Sequence, residues 1–241
     1  MEKLLTIKEA AAFLKVSEMS LRRWTNAGKL PCFRVGGNKE RRFDRQDLLN
    51  LLQPSDHDKT PLGIGEHRVA ASAHIAHFYS TVDECLGDGI SYLSTGLARG
   101  EKIVVVSTSD RLPRLLAGLE HAGFPVGRLI DEGVIATSTG QARPGEQIRF
   151  MSEALLGRDA AQGVRLLGDM AWALARDWSL AEMTTLENHT NHALANQNKL
   201  FLCQYDMEQF RASAAMMAMA THGLTSYRGA LKASPYFSEA I

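Results

Sequence analysis

The chain of 241 residues is 45% hydrophobic and 22% charged, with 27 Lys/Arg against 27 Asp/Glu, a soluble globular composition that excludes disorder, a collagen-like repeat and a disulfide scaffold. Its apolar runs, such as the one around Val104, fall far short of the roughly 20 residues that cross a bilayer, and MEKLLTIKEA at the start has no apolar signal-peptide core, so a cytoplasmic protein with no membrane partner is expected. Cys32, Cys85 and Cys203 are widely spaced with no C-x-x-C pair and read as reduced thiols.

The balanced charge is unevenly placed. Residues 1–53 carry 11 Lys/Arg against 6 Asp/Glu, a net of +5, while residues 61–241 carry 15 against 19, a net of −4. A basic segment on an acidic body is the footprint of a polyanion partner, because Lys and Arg neutralise phosphates and release counterions.

Within the basic head, Thr6-Ile7-Lys8-Glu9 is a capping box that predicts a helix start, and Ala10, Ala11, Phe13 and Leu14 supply its apolar face. Ser17 caps a second predicted helix through about Trp24, with Leu21 and Trp24 turned inward. CFRVGGNKERRF alternates, turns at Gly36-Gly37-Asn38 and returns as a hairpin, and Asp44 caps a third helix closed by Leu48, Leu49, Leu51 and Leu52. Helix, turn, helix, wing and helix follow in that order. The stretch resembles the winged helix-turn-helix of MerR and excisionase-type regulators, which implies a second helix in the major groove and a wing against the neighbouring backbone. The resemblance and the charge together place the DNA-contacting set at Ser17, Ser20, Arg22, Arg23, Asn26, Arg34, Lys39, Arg41 and Arg42, with double-stranded operator DNA as partner. Residues 54–67, with Pro54, Pro61, Gly63 and Gly65, read as a linker in place of the long MerR coiled coil, so a homodimer or higher homo-oligomer has to be built by the body.

From residue 68 to 241, apolar runs of strand length alternate with helical stretches. IAHFY, KIVVVST, GVIATST, GVRLLGD and LFLCQYD are the predicted strands, and VDECLGDGISYLSTGLARGE, RLPRLLAGLEHAG, EQIRFMSEALLG and AEMTTLENHTNHALANQNK lie between them as predicted helices. This order predicts a doubly wound, mostly parallel α/β sheet, which binds ligands at the carboxyl ends of its strands. Gly168-Asp169 at the end of an apolar run looks like the acidic strand of a RecA-type domain, yet no G-x-x-x-x-G-K-[ST] phosphate loop occurs in the chain. G-x-S-x-G, H-E-x-x-H and G-x-G-x-x-G are absent too, so the expectation is a protein that is not an enzyme.

HIAHFYSTVDE, GLARGEKIVVVST, LLGDMAWAL, LENHTNHALANQNK and LFLCQYD together resemble the MEDS sensory domain of dichloromethane-regulator type. That resemblance, from about His74 to Phe237, implies a RecA/KaiC-like body that senses a small organic effector in a one-component regulator. His77, Phe78, Tyr79, Asp169, Trp172 and Tyr205 are the candidate effector-binding residues, as an apolar wall with a few polar anchors; Trp178 reads as core, and the AAMMAMA stretch as core or subunit interface. The pairs His74/His77 and His189/His192, with Glu187 or Asp169 nearby, have the residue types of a metal site, but neither pair has a cysteine beside it, so no metal and no cofactor is expected. A body that only assembles the protein or recruits a partner, and a degenerate RecA-like nucleotide-binding enzyme, are the alternatives to the sensor.

Overall fold

Two segments of the chain, Met1–His57 and Asp58–Ile241, fold as separate units in a computed structural model that describes residues 4–37, 39–51, 59–155, 163–194 and 198–237. Asn38 of the predicted wing turn and residues 52–58 of the predicted third helix and linker lie outside the described residues.

The first unit runs β1 (Leu5–Thr6), α1 (Ile7–Leu14), α2 (Glu18–Asn26), β2 (Phe33–Val35), β3 (Glu40–Phe43) and α3 (Arg45–Leu51). The capping box closes as the sequence predicts, with the Glu9 amide donating to Thr6 Oγ1 at 3.2 Å and the Thr6 amide to Glu9 Oε2 at 2.7 Å. Lys15 ends α1 in the left-handed region at φ 53°, and Ser17 Oγ accepts from the Ser20 amide at 3.1 Å to start α2. Asp44 Oδ1 caps α3 by accepting from the Gln46 amide at 2.7 Å. β3 is the middle strand, antiparallel to β2 and to β1; a two-residue strand such as β1 is too short to leave a period in the sequence. Ala10, Ala11, Leu21, Leu30, Phe43 and Leu48 form the core.

The second unit runs β4 (Lys59–Pro61), β5 (Arg68–Ala70), β6 (His74–Tyr79), α4 (Val82–Ala98), β7 (Lys102–Val106), α5 (Leu112–His121), α6 (Val126–Asp131), β8 (Ile135–Ser138), α7 (Pro144–Leu155), β9 (Val164–Asp169), α8 (Ala171–Ala175), α9 (Leu180–Leu194), β10 (Lys199–Asp206), α10 (Ala212–Thr221), β11 (Leu224–Tyr227) and β12 (Ala230–Ala233). The five predicted strands are β6 to β10. With β11 and β12, which the sequence pattern does not predict, they build a seven-stranded sheet of order β12-β11-β6-β10-β9-β7-β8, parallel except at β12. One face packs against α4, α5 and α6 through Leu86, Leu93, Leu115 and Val126. The other packs against α7 to α10 through Met151, Trp172, Leu186 and Met217. β6 and β10 are neighbours whose continuing chains leave toward opposite faces, α4 on one and α10 on the other, the topological position at which open α/β sheets bind ligands. Among the described residues, no helix is long and apolar enough to cross a membrane.

Part of the predicted linker is structured. β4 pairs antiparallel with β5, and Leu62 and Ile64 are buried in the core of the second unit, because two apolar side chains two residues apart outweigh the flanking Pro and Gly. Arg165 on β9 holds this segment from inside. It is fully buried, donates to Glu101, to the Leu62 carbonyl at 2.7 Å and to the Tyr92 carbonyl at 3.1 Å, and stacks 4.9 Å from the Tyr92 ring centre. Replacing it leaves a carboxylate and several carbonyls without their donor. Arg165→Met is expected to cost about 3–5 kcal/mol of unfolding free energy, read as a lowered denaturant midpoint of the full chain; an unchanged midpoint would contradict this role.

Candidate functional site

The first unit presents a basic concavity. α1 brings Lys8, α2 brings Arg22, and the β2–β3 wing brings Arg34, Lys39, Arg41 and Arg42 to a groove of about 420 Å³ whose one acidic residue is Glu40. Arg41 donates to Asn26 Oδ1 at 2.7 Å, tying the wing to α2. Arg22 pairs with Glu18 at 3.3 Å and Arg42 with Glu40 at 2.8 Å, while Arg23, Arg34 and Lys39 are exposed. Ser17 and Ser20 are engaged with each other at the start of α2, their hydroxyls 3.0 Å apart. Exposed ion pairs of this kind are held weakly, so a phosphate can draw Arg22 and Arg42 away from their carboxylates.

The second unit gathers charge at the carboxyl ends of four adjacent strands: Tyr79 ends β6, Asp206 ends β10, Asp169 ends β9, and Ser107 follows β7. Arg111, placed just before α5, reaches across them. It donates to the Tyr79 hydroxyl at 2.6 Å and to both Asp169 oxygens at 3.2 Å, and lies 3.5 Å from Asp206 Oδ2. Asp169 also accepts from Ser107 Oγ at 2.9 Å and from the Ala171 amide at 3.3 Å. Burial raises the Asp169 pKa above the ordinary carboxylate value, against the pull of Arg111 and Ser107. Burial and then the Asp169 charge push the neighbouring Cys85 thiol up to about 12, so this cysteine is a packed, protonated group rather than a nucleophile.

A second polar cluster sits deeper, on the other side of the sheet from α4. His74 on β6 and Cys203 on β10 point the same way, since Phe201 is in register with His74 and Cys203 with Ala76. Glu187 from α9 and His222 at the end of α10 meet them, and all four are at most 5% exposed. His74 Nε2 lies 3.3 Å and His222 Nε2 3.6 Å from Glu187 Oε2, and Cys203 Sγ lies 3.4 Å from His74 Nε2. Tyr205 donates to Glu187 Oε1 at 2.6 Å. Burial, and then His74 beside it, holds His222 well below the ordinary imidazole value, to about 3. Burial works to raise the Glu187 pKa, and His222, His74 and Tyr205 outweigh it. Against this cluster lies a small cavity of about 20 Å³, bordered by Glu187 and Cys203 and walled by Met151, Met170, Trp172 and Leu186, room for one or two water-sized groups.

The six candidate effector residues divide among these places. Tyr79 and Asp169 belong to the Arg111 network, Trp172 walls the cavity, and Tyr205 holds Glu187 with Phe78 5.8 Å from its ring. His77 faces the opposite way, with Nδ1 3.2 Å from Ser226 Oγ and Nε2 3.1 Å from Asp88. A strand alternates its faces every residue, so His74 and His77, three apart on β6, are on opposite sides; His189 and His192 are exposed on α9. Arg111, Glu187, Cys203 and His222 were not among the predicted effector residues. An arginine just past an apolar strand is a weak signal for the first, Glu187 stands out only as a carboxylate near the His189/His192 pair, and no local spacing marks Cys203 or His222. Trp178 is buried edge-on to Trp172, and the AAMMAMA stretch is α10, with Met217 buried and Met216 exposed.

Residues 4–54 match a helix-turn-helix domain, and residues 73–223 match the MEDS domain, described as the methanogen/methylotroph, DcmR sensory domain. The transcriptional repressor DcmR of Methylorubrum extorquens is 31% identical over 239 residues, which cover 92% of this chain and 90% of the repressor.

The carboxyl-edge network is expected to behave as a unit. In a double-mutant cycle of Arg111→Met and Asp169→Asn, each variant alone destabilises the chain and the pair recovers part of the loss, with a coupling of about 1–3 kcal/mol by denaturant unfolding; additive losses would show that the two side chains act independently.

Proposed function

The chain belongs to the MEDS family of helix-turn-helix transcriptional regulators, and from that premise we propose that it grips operator DNA with a MerR/excisionase-type winged helix and reports a small organic effector through its α/β body. It is a DNA-binding transcriptional regulator with a sensory domain. The observation that carries the DNA reading is the basic groove between α2 and the wing. In this reading α2 enters the major groove with Ser17, Ser20, Arg22, Arg23 and Asn26, while Arg34, Lys39, Arg41 and Arg42 take the phosphates beside it. A two-fold dimer on a palindromic operator in the cytoplasm completes the proposal.

The effector site of this proposal is the cavity under Trp172. Its walls are mostly apolar, its size suits a molecule of very few heavy atoms, and Glu187 and Cys203 supply its polar edge. Tyr205 holds Glu187 at its edge, with Phe78 against the Tyr205 ring, and Tyr79, Asp169 and Arg111 form a separate layer at the strand ends. The seat of Trp172 supports the choice: Gly140, at φ +81°, lies so close to the indole that a side chain there would collide with it, so the ring packs directly on the β8–α7 loop.

We read the body as a RecA/KaiC-like sheet without its phosphate loop. The parallel order β11-β6-β10-β9-β7-β8 and Asp169 at the end of β9 support that reading. Where a phosphate loop would follow β6, the first turn of α4 carries Asp83 and Glu84, and Glu84 accepts from the Ser80 amide at 2.9 Å. Carboxylates there repel a phosphate and occupy the backbone donors it would need, so we assign the body no nucleotide hydrolysis.

Operator duplexes selected from a random pool provide the test. Arg22→Ala/Arg23→Ala is expected to weaken binding by about 1–3 kcal/mol for each arginine that reads a base, and to lower the salt slope by about one for each phosphate that is no longer neutralised. Unchanged affinity and slope would overturn the placement of α2.

A further inference from the structure

The His74, Glu187, Cys203 and His222 cluster is built as a ligand set. Each histidine has its outer nitrogen committed. His222 Nδ1 faces the Ala218 carbonyl at 2.7 Å, and a carbonyl only accepts, so this nitrogen carries a proton. His74 Nδ1 faces Asn191 Oδ1 at 2.9 Å, and the amide orientation is fixed by Asn191 Nδ2 donating to the Thr221 carbonyl at 2.7 Å. With Nδ1 turned outward on both rings, both Nε2 atoms aim inward at the same Glu187 carboxylate oxygen. His222 Nε2 is buried with no hydrogen-bond partner among the described residues. Two imidazole nitrogens and a carboxylate oxygen that converge away from water form a donor set that a cation between them would satisfy.

The spacing fits one ion. The four ligand atoms all lie within 4.8 Å of one another, and four of their separations are 3.3 Å for His74 to Glu187, 3.4 Å for Cys203 to His74, 3.6 Å for His222 to Glu187 and 3.8 Å for Cys203 to Glu187. A tetrahedron with metal–ligand bonds of about 2.0–2.3 Å has edges of roughly 3.3–3.8 Å. We propose that His74, Glu187, Cys203 and His222 bind one divalent transition-metal ion of zinc type in tetrahedral geometry.

The charges balance. One carboxylate and one thiolate supply two negative charges to a divalent cation, the two imidazoles bind as neutral ligands, and the proton of the Cys203 thiol, with any other proton the ion displaces, passes to solvent when the ion enters. The outer partners are those of a metal site, an amide oxygen and a carbonyl on the two histidines and the Tyr205 hydroxyl on the far oxygen of Glu187. The ion would join β6, β10, α9 and the end of α10, four pieces of chain that approach one another only in the folded body.

The test uses the full chain produced in defined medium with Zn2+, and separately with Co2+ in its place. Elemental analysis is expected to give one ion per chain. X-ray absorption of the zinc form is expected to show one sulfur at about 2.3 Å and three nitrogen or oxygen atoms at about 2.0–2.2 Å. The cobalt form is expected to show intense tetrahedral ligand-field bands with a thiolate-to-cobalt band that Cys203→Ser removes and Cys32→Ser keeps. Asn191→Ala is expected to weaken Zn2+ about 10- to 100-fold in competition with a chromophoric chelator. Folded wild-type protein that carries no ion, or an ion in a shell without sulfur, would overturn the site; either result is read on the wild type and does not depend on a variant folding.

Discussion

Helices cover both faces of the central strands, so a polar side chain carried on β6, β9 or β10 has to find its partner inside the protein. Leaving a buried charge unpaired costs several kcal/mol, and that constraint organises the body. Arg165 meets Glu101 and the carbonyls of the β4 segment, Arg111 meets Asp169 and Tyr79 at the carboxyl edge, and Glu187 meets His74, His222 and Tyr205 beneath α9. Each network joins pieces of chain that are distant in sequence.

The networks differ in what they leave open. Arg165 is enclosed by its acceptors and serves packing. Arg111 gathers the ends of three strands, β6, β9 and β10, a place where a small shift of α5 changes several bonds at once. The Glu187 cluster borders a cavity on one side and holds α9 and α10 on the other. A small molecule can change DNA affinity only if it binds two states of the protein with different affinity, and in the proposed sensor the Glu187 cluster beside the cavity is where such a difference would arise.

Much of this was legible in the sequence, for identifiable reasons. Thr6 with Glu9, Ser17 and Asp44 are local signals, and each caps the helix it predicts. The runs KIVVVST and LFLCQYD are apolar because their strands are buried on both faces. The short β1, β11 and β12 leave no period to read, and Leu62 and Ile64 were hidden among Pro and Gly. The histidines show the limit best. Their spacing as His74-x-x-His77 suggested a pair, but strand alternation separates them, and the true neighbours of His74 are Glu187, Cys203 and His222, brought in by strand order and by two helices. Tyr79 and Asp169 were identified at strand ends; Arg111, which binds both, came from a loop that carries no motif.

The central claim is that one chain couples a DNA-gripping head to a body that binds a small molecule. Native mass spectrometry of the full-length protein purified from its own host, recorded free and on its selected operator duplex, tests it directly, because coupling is reciprocal between the two ligands. Such coupling predicts a dissociable small-molecule mass whose occupancy differs between the free and DNA-bound populations. Equal occupancy in both, or a body that carries no small molecule in either, would contradict it.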